Sequence, residues 1–261
     1  FGGVYLISLV VGINPLTILA GMGAATAVLL LIFRDTILGL VASITISAND
    51  MVRIGDWVSF EKYGADGDVT EISLTTVKVQ NWDATITTVP TYAFMSDAFK
   101  NWRNMQSIGA RRIKRSLHLK MSTVKLVTPD LLERYKKIEL VQSFIDERQA
   151  EIQKFNEEHH VDKSVQINGR NMTNIGLYRR YAQEYISRNP KIAKDQTLMV
   201  RQLEPTELGI PIEIYCFSND TRWTVYEGIQ ADIMDHLMAA AQYFDLEVFE
   251  SPTGDFSKLG K

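Results

Sequence analysis

Few residues in this 261-residue chain have the types and spacing that chemistry needs. Gly21-Met-Gly23 follows the strand-like Leu16-Thr-Ile-Leu-Ala, as a dinucleotide-binding loop would. Such a loop requires Gly or Ala at position 26 and an acidic residue about 20 positions further on. Thr26 and the carboxylate-free Val41-Ala-Ser-Ile stand there instead, so no nucleotide site is expected. Glu157-Glu-His-His160 carries metal-ligand chemistry. Adjacent histidines on a helix point about 100° apart and do not readily share one ion, so a solvated helix end is expected. His118 and His236 lack a Ser or Cys partner arrangement, and no nucleophile elbow, P-loop or paired-carboxylate motif is present. No enzyme, metal or cofactor is therefore expected. The lone cysteine, Cys216, rules out an intrachain disulfide framework. It falls in the apolar Ile212-Glu-Ile-Tyr-Cys-Phe217, where a buried strand residue in a reducing compartment is expected.

The remaining oddity is a charge pair, Arg34-Asp35. Residues 1–33 and 36–49 contain no charged side chain, whereas the sequence from Asp50 onward carries almost every charge. A chain divided this way has one part for lipid and one for water. Net charge is −3 with a pI near 5.9, which gives nucleic acid no purchase. Leu16 to Phe33 has only Thr17 and Thr26 as polar interruptions. As a helix it spans about 27 Å, close to a bilayer core of about 30 Å. Gly12-Ile-Asn-Pro15 reads as the turn before it, with Pro15 suited to a helix start. Two charges in hydrocarbon cost several kcal/mol unless they reach water or each other. The bilayer is thus expected to end near Phe33, with Thr36–Ala48 an interfacial helix bent away. Residues 1–11 read as the end of a preceding membrane segment, with further spans expected upstream; no signal peptide is recognisable.

Ala20, Gly21, Gly23, Ala24, Ala25 and Ala27 crowd small residues into two turns. In lipid, small residues let helices approach closely. Ala20, Ala24, Ala27 and Leu31 share one stripe, which lines an axis if several copies surround it and is otherwise a helix contact. After Asn49-Asp50 the pattern changes to period two. Val52–Phe60, Asp68–Leu74, Thr76–Gln80 and Thr85–Val89 alternate as half-buried strands do, and their spacing predicts a small barrel. A basic cluster at Arg111–Arg115 precedes an expected strand at 116–121 and is expected to be a solvated linker, with portal electrostatics or anionic headgroups as the alternatives. Thr128-Pro-Asp opens a helix reaching about Glu158, and Gly169–Asn189 is a second helical stretch. Strands at 198–203 and 211–217, a helix over 223–244 and a strand at 246–249 complete a β-α-(α)-β-β-α-β order, an α+β unit of ferredoxin-like character.

Several of these runs together resemble one family. Gly12-Ile-Asn-Pro-Leu-Thr-Ile-Leu-Ala-Gly-Met-Gly-Ala-Ala, Arg34-Asp-Thr-Ile-Leu-Gly-Leu-Val-Ala-Ser-Ile and Val52-Arg-Ile-Gly-Asp-Trp-Val are similar to the signature of the small-conductance mechanosensitive (MscS) channels. Gly67-Asp-Val-Thr-Glu-Ile-Ser-Leu-Thr-Thr-Val, Thr88-Val-Pro90 and Asn101-Trp-Arg103 continue it, so the likeness is strongest over residues 12–105. The long helical stretch near 130–190 resembles the miniconductance subfamily.

The resemblance implies a multi-pass homoheptamer of the bacterial inner membrane, opened by tension to release ions and small solutes in hypo-osmotic shock. It implies contact with membrane lipids and permeating ions, and none with nucleic acid. Each subunit would give a kinked pore-lining transmembrane helix (12–49, kink near 34–36), then a Sm-like small β-barrel domain (50–106). An α/β cytoplasmic domain (107–251) with a helical insertion at about 129–195 and a tail at 252–261 would follow. By position, the pore-closing hydrophobic rings fall on Ala27 and Leu31, and the hinge on Arg34 and Asp35. Thr26, Val28 and Leu30 replace smaller residues of the family pattern, and Ala27 is small for a constriction, which leaves Leu31 as the main barrier. The alternative function is a membrane-anchored osmotic sensor or scaffold whose cytoplasmic domain binds a partner and which conducts little.

Overall fold

The computed structural model describes residues 2–251, which divide after Asn104 into two compact units. The first opens on two helices, α1 (Gly2–Val11) and α2 (Pro15–Ala48). Asn14 caps α2, its side-chain oxygen accepting from the Leu16 N–H at 2.9 Å. Pro15, with no N–H to satisfy, takes the first turn. The helix then continues for 34 residues without a break. This corrects the expectation of two helices joined near 34–36. Charge alone does not interrupt a helix: Arg is a good helix former and Asp a tolerable one, and neither removes a backbone hydrogen bond as Pro does.

The end of α2 is a left-handed turn. Met51 N–H donates to the Ile46 carbonyl at 3.0 Å, Asp50 N–H donates to Ser47 at 3.3 Å, and Asp50 sits at φ +52°. Those are the two bonds of a Schellman cap, at whose pivot glycine is usual because a side chain is strained there.

Strands β1 (Trp57–Phe60), β2 (Ala65–Ile72), β3 (Thr76–Asn81), β4 (Ile86–Pro90) and β5 (Lys100–Asn101) form an antiparallel sheet in the order β4-β3-β2-β1-β5. Residues 52–56 are a turn rather than the start of a strand, because Gly55 adopts φ +89° and donates to the Val69 carbonyl at 2.8 Å. The strand order is linear, so the described residues make an open sheet and not the expected barrel; β5, two residues long, offers little ladder for closure. Gly67 lies so close to β3 that a Cβ there would fall 1.9 Å from the Gln80 carbonyl oxygen. Alternate residues Val58, Phe60, Val69, Val77, Val79 and Val89 turn inward and pack with Phe94 of α3 (Ala93–Ser96).

In the second unit, α4 (Arg103–Ile108), which crosses the division, leads to β6 (Arg111–Leu119). The basic cluster therefore lies inside the strand, not in a linker before it. Its pleat explains this: Ile113 is buried, while Arg112 and Lys114 alternate outward. Helices α5 (Pro129–Tyr135), α6 (Glu139–Glu158) and α7 (Asn174–Arg188) precede β7 (Met199–Gln202), β8 (Ile210–Ser218) and α8 (Trp223–Ala241). β8 lies between β6 and β7 and is antiparallel to both, the arrangement of a split β-α-β unit. The strand expected at 246–249 reduces to one bridge, Leu119 to Val248, flanked by bonds from Lys120 N–H to Glu247 O and from Phe249 N–H to His118 O, both 2.8 Å. Ile113, Leu117, Ile212, Ile214 and Cys216 meet Tyr178, Ile233 and Leu237 from the helices in one core. The tail expected at 252–261 lies outside the described residues.

Candidate functional site

Among the described residues, α2 is the one helix long and apolar enough to cross a membrane. Ala20, Gly21, Gly23, Ala24, Ala25, Ala27 and Leu31 all lie on it, and each is exposed in the single chain. Leu31 is 73 % exposed. A Cβ placed on Gly21 or Gly23 would meet nothing within 4 Å, so the chain's own packing does not demand small residues there. Thr26 turns its hydroxyl back to the Met22 carbonyl at 2.8 Å, which removes its polarity from the surroundings. Arg34 and Asp35 are exposed on the unbroken helix and form no ion pair with other described residues.

The lower part of α2 is different. Gly39, Ala42 and Ile46 are buried, a stripe at spacings of three and four. Gly39 rests on the β2–β3 turn, and a Cβ there would come within 2.9 Å of the Leu74 carbonyl oxygen and 3.3 Å of Thr75. Ile46 enters the core of the sheet. At about 100° per residue on an unbroken helix, the centre of this stripe and that of the Ala20-Ala24-Ala27-Leu31 stripe lie only about 60° apart. Rotation of one face therefore carries the other with it.

Below Ile46 the chain is tied down by charge. Asp56 is 6 % exposed and accepts from the Arg53 backbone N–H and from Asn101 Nδ2, each at 2.8 Å, and from Arg103 Nε at 2.8 Å; a second Arg103 nitrogen also donates to it. Burial by itself would raise the Asp56 carboxyl, but these bonds outweigh it and hold it below the usual carboxylate range. Arg103 reaches Asp50 as well, at 2.9 Å, and Arg53 Nη2 donates to the same carboxylate at 2.7 Å. Asn101 closes the set by donating to the Met51 carbonyl at 3.0 Å. Asp50 thus holds a strained backbone position because its carboxylate joins the end of α2 to Arg103. Beside it Trp57 stacks on Trp102 with centroids 4.8 Å apart, and their indoles donate to Asp66 and Ser59.

Two runs that carry no catalytic pattern, Arg53-Ile-Gly-Asp-Trp57 and Asn101-Trp-Arg103, are therefore the two halves of one anchor. In the sequence both runs stand out only as family motifs with no visible task, since nothing in one chain tells that residues 47 positions apart pair. Gly21-Met-Gly23 is mid-helix, His159 stacks on Phe155 and bonds its carbonyl at 2.8 Å, and no group of metal-ligating side chains occurs among the described residues. Burial pushes the Cys216 thiol up to about 12, so it is an inert core residue.

Residues 35–104, which hold the lower part of α2, the sheet and the anchor, match the family described as mechanosensitive ion channel, beta-domain. Small-conductance mechanosensitive channel MscMJ of Methanocaldococcus jannaschii is 32% identical over 91 residues, 35% of this chain and 25% of that protein. The chain thus spans a quarter of the length of this curated relative. Arabidopsis thaliana MSL1 superposes with a TM-score of 0.59 at 14% identity, over 91% of this chain and 66% of that one. The closed-state structure of Helicobacter pylori MscS gives 0.57 at 12% identity, over 94% and 74%. The two structural likenesses show a shared fold; the shorter match over 91 residues supplies the sequence relation. With its anchor motifs inside the matched segment, residues 35–104 of this chain carry the beta-domain of the mechanosensitive ion channels, on a fold shared with MscS-type channels.

Proposed function

We propose that this chain is a subunit of an ion channel opened by membrane tension, releasing ions and small solutes in hypo-osmotic shock. The observation that carries the proposal is α2 itself. Every residue from Leu19 to Leu38 is exposed in the single chain, and the foot of the helix is anchored to a folded sheet. An apolar surface of that length needs lipid on one side and other helices on the other. The unfilled space beside Gly21 and Gly23 suits close approach by neighbouring copies. Several copies around an axis, a homoheptamer by family resemblance, would bring Ala27 and Leu31 to the pore, where an apolar ring closes by dewetting. Tension favours the state of larger in-plane area, and the anchor passes movement between helix and sheet. The α/β unit belongs in the cytoplasm, beneath a bacterial inner membrane crossed by further spans, and α5–α7 suit the miniconductance subfamily.

Patch recording from membranes containing the full protein tests this reading. Tension-evoked current is expected. Its absence at good expression would favour the sensor or scaffold.

A further inference from the structure

The α/β unit has two sides of opposite charge that no other described residues of the unit cover. On the sheet, helices cover the face of Ile113, Ile212 and Ile214. Arg112, Lys114, Tyr215, Glu213 and Arg201 have the other parity and share the opposite face. Register places Lys114 beside Tyr215 and Glu213 beside Arg201. Glu213 is 3% exposed and already answered: Arg201 Nε donates to it at 2.7 Å and Lys114 Nζ lies 3.8 Å away. The Arg112 guanidinium lies 5.9 Å from the centre of the Tyr215 ring. Three cations against one carboxylate leave this face positive, and the Lys114 and Arg201 side chains are each 49% exposed.

The other side is the back of α8. Tyr226, Ile229, Ile233 and Leu237 face the core, so Glu227, Asp232 and Asp235 lie outward; Lys191 Nζ lies 3.5 Å from Asp232, and Glu227 and Asp235 carry the remaining negative charge of this face. The whole of Trp223–Ala241 contains no Lys or Arg. Gly228 and Ala231 lie exposed among the acids, and a Cβ on Gly228 would meet nothing within 4 Å, so a second surface can approach closely. A basic sheet face and an acidic helix face thus bound the same layer from opposite sides.

We infer that the acidic back of α8 in one copy docks on the open face of the β6-β8-β7 sheet in the next copy. The contact is heterologous, using two different patches, so it repeats around a closed ring instead of ending at a pair. A helix laid on a sheet is the packing already used on the inner face. This inference rests on the self-assembling reading above and names the surface through which the α/β units meet.

Cysteine cross-linking of the full protein in detergent tests it. In a Cys216→Ser background, Lys114→Cys and Ala231→Cys lie on opposite sides of one layer and cannot bridge within a copy. Oxidation is expected to give a ladder extending past the dimer, with each single-cysteine variant giving none. Lys114→Glu and Asp235→Lys should each weaken assembly at least tenfold by dilution in native mass spectrometry, and the pair together should restore it. An intact oligomer of the unmodified protein with no ladder, a ladder ending at dimer, or no rescue by the charge swap would overturn this interface alone. A monomeric unmodified protein would overturn the self-assembling reading with it. Unchanged circular dichroism of the variants separates lost contact from lost fold.

Discussion

Arg103 is the residue on which the anchor turns, because its guanidinium bridges the Asp50 and Asp56 carboxylates, whereas Arg53 reaches Asp56 only through its backbone N–H. Replacing it leaves Asp56 ionised and almost buried, with only Asn101 and one backbone N–H to satisfy it. Removing one partner of a buried pair is worse than never having had the pair. Arg103→Ala is therefore expected to destabilise the first unit by about 3 kcal/mol, read from the denaturant midpoint, and Asp50→Asn by clearly less. The pH dependence follows from the lowered Asp56 pKa. A carboxyl whose folded value lies below its unfolded value contributes fully above the unfolded value, about 3.9, and loses that contribution as pH falls through the folded one. The anchor should thus be indifferent to pH from 8 down to about 5, and loosen only below about 4. At Leu31 the question is water. If Leu31 forms the proposed constriction, Leu31→Ser should wet it and remove about 2 kcal/mol of apolar barrier per copy. The tension threshold should fall and a resting leak appear; unchanged values of both in patch recordings would put the gate elsewhere.

At the scale of elements, Gly39 decides how closely α2 can seat on the β2–β3 turn. A methyl group 2.9 Å from a backbone carbonyl cannot be accommodated by a side-chain swing. Gly39→Ala should force α2 away from the turn and destabilise the first unit by about 1–3 kcal/mol, despite Ala being the better helix former. A gain in stability would mean the contact is dispensable. In the second unit, α7 and α8 are joined by an aromatic stack. Tyr181 OH lies 2.7 Å from His236 Nε2, and Tyr185 stacks on the imidazole at 3.8 Å. Burial lowers the His236 pKa below its usual value, so the unfolded chain binds the proton more readily. Stability should then rise with pH across that window and be lost as pH falls from about 6.5 through the folded value. His236→Phe should flatten the slope of denaturant midpoint against pH between 5 and 7. The helices were largely legible in the sequence, since an apolar run or an N-cap such as Thr128-Pro129 is a local signal. The misplaced features were those decided by non-local contacts. Arg111–Arg115 reads as a linker until β8 gives it a pairing partner, and residues 52–56 read as strand until Gly55 turns beneath β2. The anchor was present as two motifs, but its geometry came only from folding Asn101-Trp-Arg103 back onto the end of α2.

At the scale of the molecule, an unbroken α2 makes one lever of what the charge pair alone divides in two. Its upper stripe carries Ala27 and Leu31, its lower stripe is seated on the sheet, and Arg34-Asp35 lies between them. If the lever transmits, a change at the anchor must reach the constriction through the backbone at Asp35. That is a claim about coupling, and a double-mutant cycle measures it. Asp35→Gly adds only about 0.3 kcal/mol of helix-interior cost beyond that of Asp, but it introduces a flexible point without touching either end. Arg103→Ala should shift the opening threshold in the parent protein and much less in the Asp35→Gly background. A coupling of about 1 kcal/mol or more in the open–closed equilibrium is expected. If the two shifts simply add, the anchor and the pore do not communicate through α2. The unbroken helix would then be a support for the proposed pore, with gating carried by a bend at Arg34-Asp35.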